Sequence, residues 1–230
     1  MDVQIAAYHS LRWLLRPFLF RGVAIATHGI NHIPQKGAAI LVCNHRSDID
    51  GLLMTMALPR YIAWMVADYM TKIPVTSQLF MLTGMVPVNT EGSPTPSSIR
   101  QALKRLKQGR LLGIFPEGED YIFANDFDAP LAQLQSGFAH LAYAAQVAVI
   151  PVVIVPKSEK LEPITIPAAV RPHLEQHHDL SKVTSIVRYR SADIRIGRAI
   201  SLKPVRRLDK QEQVGWLQMQ TRHAMLNLQD

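Results

Sequence analysis

The sequence has little of what several classes of protein require. Its 230 residues contain one cysteine, Cys43, which excludes an internal disulfide framework and leaves no cysteine pair to hold zinc. No apolar run approaches the roughly 18 residues of a transmembrane helix. The longest run, 147–156, is short, β-branched and interrupted by proline, as in a buried strand. With 48% hydrophobic and 19% charged residues the chain is globular, and its length suits one domain with at most a small extension.

The charge of the chain is one-sided. Lysine and arginine together number 25 against 18 aspartate and glutamate residues, which gives a formal charge of +7 and a pI near 9.7. Such an excess favours an anionic partner, either a nucleic acid or a lipid surface. The sequence has neither zinc-finger spacing nor an aromatic-rich basic strand of the type that stacks on bases. We therefore expect no nucleic-acid partner.

Residues 1–22 have the pattern of an amphipathic membrane-surface helix. Apolar residues fall on one helical face and basic residues on the other: Tyr8, Leu11, Leu14, Leu15 and Phe18 against His9, Arg12 and Arg16. The arginines interrupt what would be the apolar region of a signal peptide, and Pro17 should kink or end the helix. Trp13 lies off the apolar stripe, where an indole suits a headgroup boundary.

An amphipathic helix that packs on the protein core is the commoner alternative for this segment. The excess of positive charge favours the membrane surface. We therefore divide the chain into an N-terminal membrane-associating segment, 1–22, and a domain, 23–230, and expect a protein peripheral to the cytoplasmic face of a membrane.

Strands and helices alternate along the rest of the chain. Apolar runs of strand length occur at 23–27, 38–43, 61–66, 85–88, 111–115 and 148–155. Helical patterns lie at 49–58, around 71–82, from Thr95 to Gly109, at 131–146 and at the carboxyl end. Two edge strands are predicted at 184–189 and 193–202. The alternation predicts an α/β fold with a largely parallel central sheet flanked by helices.

His45 and Asp50 lie five residues apart where an apolar strand ends. On one continuous helix such residues point about 140° apart and could not cooperate, whereas a strand-to-helix turn lets them meet. With Ser47 or Asp48 as the N-cap, Asp50 could reach back to one ring nitrogen of His45 and leave the other nitrogen as a base. A capping role for Asp50 in Ser47-x-x-Asp50 is the alternative.

A second group of residues, Phe115-Pro116-Glu117-Gly118, follows another predicted strand. Ligand sites of parallel sheets gather at the carboxyl ends of strands, where the His45 turn also lies. A carboxylate followed by glycine, which permits close backbone approach, suits recognition of a hydroxyl group. The alternative is a turn with a solvated Glu117.

Together these residues resemble the glycerolipid acyltransferase family, typified by lysophosphatidic acid acyltransferase. The family signature of His, four residues and Asp is met by His45 and Asp50, with the expected Asn44 before the histidine. The Phe-Pro-Glu-Gly block of the family is met by residues 115–118. The resemblance covers residues 29–154, slightly over half of the chain.

The resemblance implies acyl transfer without a metal or a cofactor. His45 would remove the proton from an acceptor hydroxyl, which attacks the thioester of acyl-CoA or acyl-carrier protein, while Asp50 fixes the imidazole tautomer. Glu117 and the backbone of Gly118 would position the acceptor. The implied substrate-binding residues are Asn44, Arg46, Phe115, Pro116, Glu117 and Gly118. The implied partners are a lipid acceptor and an acyl thioester, as in phospholipid biosynthesis.

The sequence departs from the family at two arginines that members with phosphate-bearing acceptors usually carry. Thr90 occupies the first position, and Glu119-Asp120 replaces the usual Thr-Arg after residue 118. Neither Thr90 nor Asp120 can form the bidentate phosphate contacts of arginine. We therefore hypothesise an acceptor without a terminal phosphate, a hydroxylated lipid or glycolipid. Arg46 is a spare cation that could still receive a phosphate.

Two other functional classes stay open. A hydrolase or thioesterase could use the same histidine and aspartate with water, although the absence of a Gly-x-Ser-x-Gly elbow disfavours a serine nucleophile. A membrane-binding module with a decayed site is the second alternative, since Thr90 and Asp120 depart from the family pattern.

Overall fold

The computed structural model describes residues 2–19, 21–89, 94–118, 131, 134–166, 171–176, 180 and 185–230. Within them the strands are β1 (Ala24–His28), β2 (Ala39–Cys43), β3 (Ile62–Ala67), β4 (Val86–Val88), β5 (Leu111–Ile114), β6 (Ala148–Pro163) and β7 (Ser185–Ile196). The helices are α1 (Val3–Leu19), α2 (Asp50–Ala57), α3 (Pro74–Thr83), α4 (Pro96–Lys107), α5 (Gly137–Ala145), α6 (Arg171–Glu175) and α7 (Lys210–Gln229).

The seven described strands form one sheet in the order β1-β7-β6-β2-β5-β3-β4. Every pairing is parallel except that of β6 with β7. Strand β2 lies at the centre, and all five of its residues are buried. Both of its faces are covered, which explains why its sequence is continuously apolar instead of alternating. The predicted α/β fold with a largely parallel sheet flanked by helices is confirmed.

Each face of the sheet carries its own apolar core. On one face Ile40 and Val42 pack with side chains from α4, α5 and α7, including Leu106 and Leu217. On the other face Leu41 and Cys43 pack with side chains from α2. Because successive side chains of β2 point to opposite faces of the sheet, this one strand contributes to the cores on both faces.

Two helices begin directly after a residue whose side chain caps them. Thr95 accepts the backbone N–H of Ser98 and precedes Pro96, as the sequence predicts for α4. Helix α7 begins after Asp209, which forms a capping box with Glu212 that the sequence analysis missed.

The antiparallel pair β6–β7 differs from the prediction. Strand β6 continues to Pro163 instead of ending near 155, and β7 is one strand instead of two edge strands. It also lies inside the sheet, between β1 and β6. The far parts of both strands form a two-stranded arm whose residues on β6 are largely exposed. Its polar sequence therefore lacks the apolar run expected of a strand.

Helix α5 is shorter than predicted, because it begins at Gly137 instead of residue 131. Leu131 and Leu134 are buried in the same core as Phe138, which gives the sequence a helical spacing of apolar residues before the helix begins.

Helix α1 runs two residues past Pro17 and packs on the domain through one face. Tyr8 is 2% exposed and meets the ring of Tyr61 edge-on, with 4.9 Å between centroids. The Arg12 guanidinium donates to the carbonyl of Met56 at 2.9 Å. The inner face therefore follows the core-packing alternative, while the opposite face presents solvent-exposed apolar side chains. In the part of the chain that the structure describes, every helix is too short or too polar to cross a bilayer.

Candidate active site

His45 and Asp50 meet at the turn between β2 and α2, as their spacing predicts. His45 lies two residues beyond the end of β2, and Asp50 is the first residue of α2. The His45 Nδ1 and Asp50 Oδ2 atoms are 2.9 Å apart. The Asp50 side chain is completely buried, while that of His45 is 18% exposed. The pair therefore combines a carboxylate shielded from water with an imidazole that a substrate can reach.

The surroundings of Asp50 determine which ring nitrogen carries the proton. Its Oδ2 atom accepts the backbone N–H groups of Arg46 at 2.6 Å and Ser47 at 2.7 Å. Its Oδ1 atom accepts the hydroxyl of Tyr189 at 2.9 Å. A carboxylate with these donors is an acceptor, and the Nδ1–H group of His45 must therefore donate to it. Nε2 is left with its lone pair, and no hydrogen-bond partner lies at Nε2 among the described residues.

Asp50 makes both contacts that the two interpretations require, one with the imidazole of His45 and one with the backbone N–H of Ser47. Asp50 Oδ2 accepts hydrogen bonds both from the backbone of the turn and from the imidazole. Asp50 also lies at the amino end of α2, where the helix dipole favours a negative charge. The predicted boundary is wrong by a small amount: the N-cap is Ile49 instead of Ser47 or Asp48. Asp50 can reach His45 because the 46–49 turn folds its own backbone N–H groups around the carboxylate.

The plane of the His45 ring is fixed by two stacked aromatic rings. Phe115 stacks on His45 with 4.1 Å between ring centroids and an interplanar angle of 22°. Trp64 in turn stacks on Phe115 at 5.0 Å and 8°, and its Nε1–H group donates to Thr55 at 3.0 Å. Phe115 therefore supports the imidazole, a role that the sequence analysis did not predict.

Glu117 holds the backbone of His45 and is not a solvated turn residue. Its Oε2 atom accepts the His45 backbone N–H at 2.6 Å. Burial raises the pKa of Glu117 to about 7, against the opposing effect of that hydrogen bond. The neighbouring Pro116 is buried and accepts the Gln135 N–H at 2.8 Å, and Gly118 turns the chain with φ 86°.

Asn44 joins the end of β2 to β6. Its side-chain amide donates to the carbonyl of Ile154 at 3.1 Å and accepts the N–H of the same residue at 2.7 Å. These two bonds reproduce strand pairing beyond the last residue of β2. The role of Asn44 in this structure is therefore to hold the His45 turn against β6.

Arg46 is not the spare cation that the sequence suggested. Its guanidinium donates to Glu159 Oε1 at 2.9 Å, and both side chains are mostly shielded from solvent. Arg46 also lines a cavity of about 90 Å³ with Asn44, Glu117 and Ile154. A phosphate at Arg46 would have to compete with the carboxylate of Glu159. Thr90, Glu119 and Asp120, the other departures from the family, lie outside the described residues.

The sequence motifs do not indicate the part of the site that β7 supplies. Tyr189 binds Asp50, and the carbonyl of Val187 accepts the hydroxyl of Ser47 at 2.7 Å. These residues are about 140 positions away from the motif, and no spacing rule connects them to it. Their only signal in the sequence is an apolar residue and a tyrosine on one face of a predicted strand.

Comparisons with known proteins agree with this geometry. Residues 24–155 match the family model described as Acyltransferase. The 1-acyl-sn-glycerol-3-phosphate acyltransferase of Borreliella burgdorferi is 30% identical over 100 residues, 42% of this chain and 39% of that protein. The N-acylphosphatidylethanolamine synthase of Arabidopsis thaliana is 32% identical over 124 residues, 50% of this chain and 42% of that protein. The chain thus spans about two fifths of the length of these relatives.

A solved structure shares the fold. The crystal structure of the 1-acyl-sn-glycerophosphate acyltransferase PlsC from Thermotoga maritima superimposes with a TM-score of 0.61 at 18% identity, covering 99% of this chain and 83% of that one. The family model covers more than half of the 230 residues and includes both motifs of the site. The chain therefore belongs to the Acyltransferase family.

Proposed function

We propose that this protein is an O-acyltransferase that moves a fatty acyl group from an acyl thioester to the hydroxyl of a lipid. The single observation that carries the proposal is the imidazole of His45, with Nδ1 bound to the buried Asp50 and Nε2 available as a base. The donor is acyl-CoA or acyl-carrier protein. Membership of the Acyltransferase family supports the same reaction class.

In the proposed reaction Nε2 of His45 takes the proton of the acceptor hydroxyl as its oxygen attacks the thioester carbonyl. The new C–O bond forms, the tetrahedral intermediate collapses, and the C–S bond breaks. The leaving thiolate then receives the proton from the imidazolium. Asp50 holds the ring in one tautomer and stabilises its positive charge throughout. Because no serine is acylated in this scheme, the acyl group passes directly from thiol to alcohol.

The acceptor is proposed to be a hydroxylated lipid or glycolipid without a terminal phosphate. The ion pair of Arg46 with Glu159 supports this choice. The guanidinium of Arg46 is the cation closest in sequence to His45 and Asp50, and it is already paired with a carboxylate. Thr90 and Asp120 support it as well, since neither side chain can bind phosphate as arginine does. Glu117 is proposed to bind the acceptor hydroxyls from the cavity that it lines.

The protein is proposed to work at a membrane surface. Trp13 is 81% exposed, and Leu14 beside it is also exposed. Met81 and Leu82 of α3, the helix against which α1 packs, are exposed as well. Apolar side chains on two contacting helices, together with the +7 charge of the chain, suit the interface of an anionic membrane.

The reaction is tested with purified protein, one defined acyl-CoA and a set of acceptors, by free-thiol release and mass spectrometry of the product. We expect acylated lipid, formed faster from a phosphate-free acceptor than from lysophosphatidic acid. His45→Ala should lower the rate about 10³-fold, because the general base is lost. The thermal transition should stay nearly unchanged. The control is His140→Ala, an exposed histidine on α5.

Three results would contradict the proposal in different ways. Free fatty acid in place of acylated lipid would indicate a hydrolase. No turnover, with intact vesicle binding, would indicate a membrane-binding module. Efficient acylation of lysophosphatidic acid that is lost in Arg46→Ala would show that the acceptor carries a phosphate and that Arg46 binds it.

The raised pKa of Glu117 predicts a pH-dependent stability. Because the folded protein holds this proton up to about pH 7, against 4.5 for the ordinary carboxyl, the contribution of Glu117 to stability is complete below pH 4.5 and is lost as pH rises to 7. Glu117→Gln cannot lose a proton. We measure the free energy of unfolding of both proteins in urea. The value for Glu117→Gln minus that for the wild type should increase by about 2 kcal/mol between pH 5 and pH 8. A difference that is the same at every pH would refute the burial of this charge.

The exposed face of α1 predicts how the protein binds vesicles. Trp13→Ser should weaken flotation with phosphatidylglycerol vesicles about tenfold, because a large apolar ring leaves the interface. Trp216→Phe on α7, a partly buried indole, is the matched control. Equal flotation of the Trp13 variant and the wild type would show that α1 does not meet the membrane.

A further inference from the structure

Three consecutive residues of β7 hold the catalytic turn. The Val187 carbonyl accepts the Ser47 hydroxyl at 2.7 Å, Arg188 forms a bidentate ion pair with Asp48, and Tyr189 donates to Asp50. The two segments therefore contact each other in matching order, over a sequence separation of about 140 residues. All three residues of β7 lie outside the 24–155 region that the family model matches.

The contact of Tyr189 with Asp50, like that of Val187 with Ser47, is buried at both ends, and it is the one of the three that reaches the carboxylate of Asp50. Tyr189 is 4% exposed and Asp50 is not exposed at all. Burial, followed by the nearby charge of Asp50, raises the pKa of the phenol well above its usual range, and the hydroxyl keeps its proton as a donor. The Arg188 ion pair, by contrast, is partly solvated and contributes little.

The hydroxyl of Tyr189 fixes the plane of the Asp50 carboxylate. Oδ2 is held by the N–H groups of Arg46 and Ser47 and by His45, whereas Oδ1 accepts from Tyr189. Without Tyr189 the Oδ1 atom would be buried without this donor, and the carboxylate could rotate about its Cβ–Cγ bond. Rotation would turn the lone pairs of Oδ2 away from Nδ1 of the imidazole.

A bulge between β6 and β7 brings Tyr189 to this face of the sheet. The register shifts where Ser158 pairs with Ser191 and Glu159 with Tyr189. Buried residues of β7 are even-numbered from Ala192 onward, but Val187 and Tyr189 are odd-numbered and lie in the same core. A bulge moves side chains from one face to the other, and without it Tyr189 would point away from Asp50.

We propose that Tyr189 is a positioning residue for acyl transfer, which acts by fixing Asp50 and, through it, the imidazole of His45. The proposal rests on the function proposed above. It assigns part of the site to β7, beyond the region that the family model describes. Tyr189 does not touch the reacting atoms, and its removal should therefore slow the chemical step without weakening substrate binding.

The test compares Tyr189→Phe with Tyr61→Phe. Both tyrosines are buried, but the hydroxyl of Tyr61 donates to the Thr83 carbonyl, away from the catalytic turn. Tyr189→Phe should lower kcat about tenfold and change KM less than about twofold, because a hydrogen bond to a charged group is lost. Tyr61→Phe should reduce the melting temperature to a similar extent and leave kcat within about twofold of the wild type.

A double-mutant cycle with Asp50→Asn separates positioning from a general structural effect. If Tyr189 acts through Asp50, the double variant should be no slower than Asp50→Asn alone. Additive losses would overturn the proposal, and so would an unchanged kcat in Tyr189→Phe.

An NMR measurement that needs no turnover tests the positioning role of Tyr189 even if the proposed function fails. The Nδ1–H proton of His45 should give a downfield NMR resonance, identified by its loss in His45→Gln. We expect this resonance to broaden or move in Tyr189→Phe and to persist in Tyr61→Phe. An unchanged resonance in Tyr189→Phe would overturn the positioning role, whether or not the protein transfers acyl groups.

Discussion

The buried carboxylate of Asp50 is the constraint on which the rest of the site depends. A charge with no exposure to solvent is tolerated only where donors surround it. Here the donors are the backbone N–H groups of Arg46 and Ser47, the imidazole of His45 and the phenol of Tyr189. Asp50 thus directs Nδ1 of the imidazole, and the stacked ring of Phe115 fixes the plane of the ring. Two of these donors belong to the backbone of the turn before α2, and the bond from Nδ1 leaves Nε2 with its lone pair.

The sheet brings these groups together because parallel strands end at one edge. His45 follows β2, while Phe115 follows the neighbouring strand β5 and supports the imidazole. Strand β5 carries Gly113 where Trp64 crosses it, and a Cβ atom there would lie 2.3 Å from the Trp64 ring. The glycine therefore permits the stack of Trp64, Phe115 and His45. Gly113 leaves room for the Trp64 indole between β5 and α2. The indole in turn supports Phe115, which stacks on His45.

The sequence predicts the local parts of the site. The five-residue spacing of His45 and Asp50, and the strand before them, allow their contact, and the 115–118 block on another strand end favours it over a capping role alone. The position of Tyr189 could not be predicted, because the bulge breaks the alternation of β7 and makes one strand resemble two. The ion pair of Arg46 with Glu159 could not be predicted either, since it joins residues 113 positions apart. Contacts across the sheet depend on register, which the pattern of a single strand does not contain.

The tautomer of His45 tests the central claim most directly. In ¹⁵N-labelled protein at a pH where the imidazole is neutral, with the signals of His45 identified by substitution, NMR distinguishes a protonated ring nitrogen from one with a free lone pair. We expect a proton on Nδ1 and a free lone pair on Nε2, and we expect Asp50→Asn to abolish this preference. A proton on Nε2 in the wild-type protein would contradict this expectation, because the nitrogen that faces the substrate could not then act as the base.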